Sequence, residues 1–330
     1  MEKKIKAIVL LSGGLDSSLA TKIIINQNIE LMALNFFTPF CRCNRKKGCN
    51  SVAKYFTEKI GIPIRRIFIG EEYFKIIKNP KYGYGKNLNP CIDCRILMLK
   101  KAKEIMKNEN FSFIVTGEVL DQRPKSQTLK ALKIIEKETG LEGLIVRPLS
   151  ANLLPETIPE KMGWIDRNKL LAIKGKSRKM QIFLADFYGI KDYPCPAGGC
   201  LLTDPSFSKR MKNLIELGNV SLKNVELIKI GRYFKLTPTT ILIIGRNESE
   251  NKKILALKEI DDIIIRSEDS KVVAVFKGCI NKNIKIFSSS IVARYIKNFD
   301  DYKKILIESK YGQEILNVKP IEEIPDKMYV

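Results

Sequence analysis

Apolar positions in the first 190 residues fall into short strand-like runs that alternate with stretches of helical periodicity. Residues 5–10 read as a buried strand, and further strands are expected over 29–37, 64–69, 113–116 and 144–147. Helices are expected near 51–60 and over 91–106, 128–139 and 176–188, with a loop rich in Gly, Pro, Tyr and Asn at 79–89. Strands alternating with helices predict an α/β fold built on a doubly wound, mainly parallel sheet. Ligands of such sheets sit at the carboxyl ends of the strands, where the loops after the first, second and fourth strands converge. After about residue 204 the rhythm changes. Residues 206–217 read as a linking helix, and 241–245, 263–267 and 272–277 as strands. Two domains are therefore expected: 1–204, and a smaller α+β domain over 205–330.

Composition sharpens this picture in three places. The net charge is +22, with roughly three quarters of the excess before residue 201, so a polyanionic partner is expected and the first domain shares in binding it. Histidine is absent. That excludes Cys–His and Ser–His nucleophilic pairs and every His-containing metal site, leaving Cys or carboxylates as ligands. No run approaches the length of a membrane span, and the apolar run after the N-terminal lysines is too short for a signal peptide, so a cytoplasmic protein with no membrane partner is expected.

The first strand runs into Leu11-Ser12-Gly13-Gly14-Leu15-Asp16-Ser17-Ser18. Glycines allow positive φ and close backbone approach, and a helix start offers free N–H groups to an anion. The serines add donors, and Asp16 suits a magnesium ion or a helix cap. The commoner phosphate loop needs Gly, four residues and Gly-Lys-Ser/Thr; Gly175-Lys176-Ser177 fails it because Leu170 stands at the first position.

Eight cysteines occur, most of them between elements, which favours metal binding or catalysis over disulfides. Cys91 and Cys94 open a helix as a Cys-x-x-Cys pair, and Cys195 and Cys200 share a Pro/Gly loop. Cys41, Cys43 and Cys49 form a third group in a basic loop, with zinc binding, sulfur acceptance and no role at all left open. Cys279 stands alone beside Gly278.

The Ser-Gly-Gly-x-Asp-Ser loop resembles that of the PP-loop, or N-type ATP pyrophosphatase, superfamily. The sequence Asn89-Pro90-Cys91-x-x-Cys94-Arg95, then Val115-Thr116-Gly117-Glu118-Val119-Leu120-Asp121, then Gly198-Gly199-Cys200 is similar to its tRNA thiouridine synthase branch, over about residues 5–204. The resemblance implies ATP and Mg2+ binding at Leu11, Ser12, Gly13, Gly14, Asp16, Ser17, Ser18 and Gly117. It implies catalytic roles for Asp16, Asp121, Cys94 and Cys200, and tRNA as substrate. It also implies a [4Fe–4S] cluster on Cys91, Cys94 and Cys200, with Cys195 as the alternative to Cys200. A Cys200 persulfide resolved by Cys94 is the other sulfur chemistry. The sulfur donor would be free sulfide, a cysteine desulfurase or a carrier protein, and a homodimer is possible. Arg123, Lys125, Lys176, Arg178 and Lys179 are candidates for RNA or phosphate contact, against the alternative of a solvated charged face.

In the second domain, Ile244-Gly245-Arg246-Asn247-Glu248 is similar to a segment of NFACT-type RNA-binding domains; the same residues also read as a strand, a turn and a helix capped by Asn247. Two rival functions remain: activation of a small-molecule carboxylate with the cysteines on structural Zn2+, and a non-catalytic RNA-binding protein on this fold.

Overall fold

The structure, a computed structural model, describes residues 5–42, 58, 61–190, 193, 199–269, 271–297 and 301–329. The chain divides into two compact units: Met1–Gly85 with Asn89–Cys200, and Lys86–Leu88 with Leu201–Val330.

In the first unit the elements run β1 (Lys6–Leu10), α1 (Leu15–Ile25), β2 (Glu30–Phe37), β3 (Ile64–Phe68), α2 (Glu72–Lys78), α3 (Cys91–Asn108), β4 (Phe113–Thr116), α4 (Leu129–Thr139), β5 (Ile145–Val146), α5 (Ile158–Lys161) and α6 (Lys179–Phe187). The sheet order is β3-β2-β1-β4-β5, with every pair parallel. Strand side chains alternate between faces, and here both faces are covered. Ala7, Val9, Phe113 and Val115 pack on one side with Leu15 and Leu19 of α1 and Ala185 of α6. Ile8, Leu10 and Ile114 pack on the other with Ile92, Ile96 and Leu99 of α3 and Ile135 of α4. That double coverage explains why these strands read as unbroken apolar runs.

β1 and β4 are adjacent, with Leu10 opposite Thr116, and chain order reverses between them. The loops leaving their carboxyl ends diverge there, which opens the crevice where such sheets hold ligands. The helix expected near 51–60 falls outside the described residues except for Glu58.

The second unit contains α7 (Pro205–Glu216), α8 (Leu222–Leu227), β6 (Arg232–Thr237), β7 (Thr240–Ile244), α9 (Glu248–Leu257), β8 (Ile263–Ser267), β9 (Val273–Gly278), α10 (Lys282–Ala293), β10 (Lys303–Ser309) and β11 (Gly312–Val318). Its sheet, β11-β10-β8-β9-β7-β6, is antiparallel throughout. Phe234, Leu242, Phe276 and Ile305 pack with Ile291 and Val292 of α10 in its core. Among the described residues no helix is long and apolar enough to cross a membrane.

Candidate functional site

The loop after β1 is held by its own side chains. Leu11 N–H donates to Leu34 O at 3.0 Å, and buried Asn35 donates to Leu11 O at 2.8 Å, fixing the chain as it leaves the strand. Gly13 takes φ 79°, a left-handed conformation that glycine adopts without strain. Gly14 is the N-cap of α1 and makes no side-chain cap. Ser17 and Ser18 donate their hydroxyls to Gly14 O at 2.9 and 3.0 Å, and the Ser12 and Ser17 hydroxyls lie 3.1 Å apart. Ser18 is fully buried, so its hydroxyl shapes the loop instead of facing solvent as a spare donor. Leu11 is likewise interior.

Asp16 lies in the first turn of α1, so of the two roles open to it in the sequence it does not take the helix cap, a position that Gly14 occupies. Its Oδ2 accepts from Gln122 Nε2 at 2.7 Å and lies 3.7 Å from Arg178 Nη2. Gln122 in turn accepts from Gln181 Nε2 at 3.0 Å, and Gln181 is fully buried on α6. Asp16 Oδ1 is buried with no hydrogen-bond partner. A buried carboxylate oxygen without a donor is costly unless a ligand satisfies it. A hard cation takes such oxygens, so the donor chemistry here fits Mg2+.

Gly117 explains how β4 approaches this loop. A Cβ placed there would stand 2.5 Å from both Cα and N of Ser17. Only hydrogen leaves room for the two backbones to touch. Beyond it, Glu118 is buried between Arg147 Nε at 3.0 Å and Arg95 Nε at 3.1 Å. Burial alone would raise its pKa, but the two guanidiniums hold the carboxyl below its ordinary value.

Asp121 sits at φ 59°, in the left-handed region that Asp enters more readily than most residues. Its carboxylate is 3.4 Å from Lys174. Leu120 and Lys174 form a parallel bridge, and Gly175 N–H donates to Leu120 O at 2.8 Å. This pairing brings the segment bearing Lys176, Arg178 and Lys179 beside the loop bearing Asp121, Arg123 and Lys125. It also corrects the expected helix start. Gly175 at φ 84° ends the bridge, Arg178 is the N-cap, and only Lys179 of the three cations is helical.

The thiols gather nearby in the same unit. Cys91 and Cys94 occupy the first turn of α3. Between them, buried Asp93 accepts from the backbone N–H groups of Lys81 at 2.9 Å and Tyr82 at 3.1 Å, which pins the preceding loop to the helix start. A Cβ on Gly85 would lie 3.4 Å from both Cys91 Sγ and Lys125 Cγ, so this loop, the thiol and the basic segment meet at one point. The ring of Tyr73, on α2, is almost fully buried. Its phenol is pushed well above the usual range by burial, then by the neighbouring Cys94, Cys200 and Cys91. Cys94 keeps some exposed surface, yet burial of the sulfur pushes its thiol up to about 11, offset in part by the Tyr73 hydroxyl and Arg95. The Cys91 thiol is also raised by burial, against the pull of Arg123, Arg95 and Lys125. The described cysteines, Cys41, Cys91, Cys94, Cys200 and Cys279, carry no disulfide. Cys43, Cys49 and Cys195 lie outside the described residues.

Among the described residues no three Cys, Asp or Glu side chains come close enough to hold a single metal ion. A tetrahedral zinc site requires that closeness, whereas a four-iron cubane spaces its thiolates more widely because each binds a different iron. Cys91, Cys94 and Cys200 all lie near enough to the Tyr73 phenol to act on it. Tyr73, Gly85 and Gln181 went unrecognised as site residues in the sequence, and Gln122 was read only as part of the segment after Asp121 that could meet ATP phosphates or tRNA. Of these only Gln122, next to Asp121, carried a positional signal.

In the second unit, Asn247 accepts from Glu250 N at 3.0 Å as the N-cap of α9, and Arg246 is 3.7 Å from Glu250.

Residues 3–153 match the family model of ThiI, the thiamine biosynthesis protein, and residues 231–329 match that of the NFACT protein RNA binding domain. The chain is 34% identical over 146 residues to a probable tRNA sulfurtransferase of Anoxybacillus flavithermus, covering 44% of this chain and 35% of that protein. It is 30% identical over 146 residues to the probable tRNA sulfurtransferase of Thermococcus kodakarensis, covering 44% and 36%. The chain thus spans about a third of the length of these relatives. A solved structure, the U34-tRNA thiolase NcsA of Methanococcus maripaludis with its [4Fe–4S] cluster, is similar at 20% identity and TM-score 0.35, over 69% of this chain and 71% of that one, a likeness too distant to argue from. The chain is therefore similar to the ThiI family over residues 3–153 and to the NFACT RNA binding domain family over residues 231–329.

Proposed function

We propose that this protein is an ATP-dependent tRNA sulfurtransferase, which adenylates a uridine carbonyl oxygen and replaces that oxygen with sulfur. The observation that carries the reading is the presence, in one compact unit, of a phosphate-type loop with an orphaned carboxylate oxygen and of three thiols around a buried phenol. A uridine carbonyl is a poor electrophile. Transfer of AMP to it releases pyrophosphate and turns the oxygen into a leaving group, which a sulfur nucleophile then displaces.

Each residue has a part in that sequence. The N–H groups at the start of α1 bind the phosphates, aided by the helix dipole. Gln122 and Gln181 orient Asp16 so that Oδ1 faces its ligand, which we assign as Mg2+. Arg178 and Lys174 steady the two carboxylates until phosphate draws the cations away. Asp121 lies beside the reacting groups and assists adenylation. Arg123, Lys125, Lys176 and Lys179 bind the tRNA backbone. Cys91, Cys94 and Cys200 hold a [4Fe–4S] cluster, with Tyr73 donating to Cys94. When bound, such a cluster supplies an iron left open by its three-thiolate ligation, where hydrosulfide can bind. The NFACT-type unit adds RNA affinity.

The test is anaerobic purification followed by iron and acid-labile sulfide assay, with AMP release measured with and without tRNA. The reading requires both inorganic elements and tRNA-dependent AMP. A colourless, iron-free protein that is fully active would overturn the cluster, and AMP release indifferent to tRNA would overturn the substrate.

A further inference from the structure

Cys41 belongs to neither the phosphate loop nor the three-thiol set, yet the backbone places it directly opposite Cys200. The two residues are partners in an isolated antiparallel bridge, and beside them Arg42 N–H donates to Gly199 O at 2.8 Å. Hydrogen-bonded and non-hydrogen-bonded pairs alternate along antiparallel strands. The Arg42–Gly199 bond identifies that pair as the hydrogen-bonded one, so Cys41 and Cys200 form the non-hydrogen-bonded pair. At such a position Cα atoms stand ~4.5 Å apart and both side chains leave on the same face. That separation lies inside the roughly 4.4–6.8 Å window of disulfides, so a bond between the two sulfurs needs no backbone rearrangement. Thr38 N–H donates to Cys41 Sγ at 3.3 Å, with the Thr38 hydroxyl 3.7 Å away, and this holds the sulfur in place. Both cysteines are reduced and partly exposed, within reach of a small oxidant.

We infer that Cys41 and Cys200 form a reversible thiol–disulfide pair, which withdraws Cys200 from the sulfur centre when oxidised and returns it when reduced. The consequence for the centre rests on the function proposed above; the pairing itself rests on the backbone alone. Glutathione disulfide serves as oxidant. One protein thiolate attacks it, forming a mixed disulfide and releasing one glutathione thiolate. The second protein thiolate then attacks the protein sulfur of that mixed disulfide and releases the other. The two protein thiols lose two electrons and two protons, and the glutathione disulfide is reduced to two thiols. A dithiol reverses the sequence. A partly exposed disulfide spanning a single bridge is open to thiol–disulfide exchange.

The experiment uses the full chain, stripped of metal by chelation, treated with oxidised glutathione, quenched with N-ethylmaleimide and digested without reductant for peptide mapping. The expected product is a Cys41–Cys200 linked peptide, lost on addition of dithiothreitol, with Cys91 and Cys94 alkylated. Cys41→Ala removes that peptide and leaves Cys200 alkylated, any glutathione adduct being quantified in the same map and the uptake below normalised to the free Cys200 fraction. A dominant Cys91–Cys94 or Cys94–Cys200 link, a link from Cys41 to another cysteine, or no link at all overturns the pairing. A second measurement follows ferrous iron uptake with neither thiol nor sulfide added, because sulfide itself opens disulfides. Oxidised wild type should take up none until reduced, whereas Cys41→Ala should keep its uptake after the same oxidation. Equal loss in the variant overturns the switch. Failure of even the reduced wild type to take up iron overturns the cluster reading, and the peptide map then decides the pairing independently.

Discussion

Replacing Gly117 by alanine tests whether the end of β4 positions the phosphate loop. The added Cβ would stand 2.5 Å from Ser17 N and Cα and 2.6 Å from Asp16 C. Non-bonded heavy atoms settle at roughly 3.5–4.0 Å, so the two backbones must part by about 1 Å. Neither side yields cheaply, because β4 is hydrogen-bonded between β1 and β5 and the atoms struck are backbone at the start of α1. Overpacking of this kind costs about 1–3 kcal/mol of stability. At roughly 2–4 °C per kcal/mol for a unit of this size, Tm falls by about 2–12 °C. The larger effect is on chemistry, since a displacement of about 1 Å in a positioning element costs on the order of 100-fold in rate. Turnover is read as AMP released from labelled ATP in the presence of tRNA, beside a thermal melt. Gly14→Ala is the contrast: φ is −85° there, and a Cβ meets only Ser12 Oγ at 3.5 Å. That variant should melt like wild type and lose turnover only if phosphate approaches the Gly14 backbone. A Gly117→Ala protein with wild-type melting and turnover would refute the packing argument.

Four further outcomes follow from the same geometry. Glu118→Ala leaves buried Arg147 with only Glu136, and should cost about 3–5 kcal/mol by chemical denaturation, the range for breaking a buried pair. Because the Glu118 carboxyl titrates below its ordinary value when folded, its contribution is complete above the unfolded value of about 4.3 and is lost as pH falls through the folded one. The stability gap between wild type and Glu118→Gln should therefore stay constant from neutrality down to about pH 5 and close in more acid solution. Gln122→Leu removes the 2.7 Å bond to Asp16 and the Gln181 contact, and should weaken ATP binding about tenfold by calorimetry, equivalent to about 1.4 kcal/mol, with Asp16→Asn giving a larger loss. Arg123→Ala should lower the slope of log Kd for tRNA against log salt by about 1 in filter binding, the signature of one phosphate contact.

The parallel sheet was legible in the sequence because its central strands are buried on both faces and read as apolar runs, as in the Ala7–Leu10 stretch, whereas edge strand β3 carries Arg65 and Arg66 and is largely exposed. The last strand shrank to Ile145–Val146: Leu144 N–H turns back to Leu141 O, and Pro148 has no N–H to extend the ladder. In the second unit β6, β10 and β11 went unseen. β10 opens on two lysines and closes on Glu308 and Ser309, leaving only Ile305–Ile307 apolar, β11 is exposed along most of its length, and β6 mixes Arg and Lys with aromatics, so none forms an apolar run of strand length. The phosphate loop is local and could be read directly. The partners that complete it are not local. Gln122 reaches Asp16 from 106 residues away, Gln181 lies 59 beyond Gln122, and Cys41 meets Cys200 through a backbone bridge that no spacing in the sequence announces.

The central claim is sulfur transfer to a tRNA uridine at the expense of ATP. Its most direct test is nucleoside mass spectrometry of unmodified tRNA incubated anaerobically with the iron–sulfur-reconstituted protein, ATP, Mg2+ and sulfide. The account predicts one thiouridine formed per AMP released, with neither product when Asp16 is replaced by asparagine. AMP accumulating without any thiolated nucleoside, or thiouridine appearing without ATP, would contradict it.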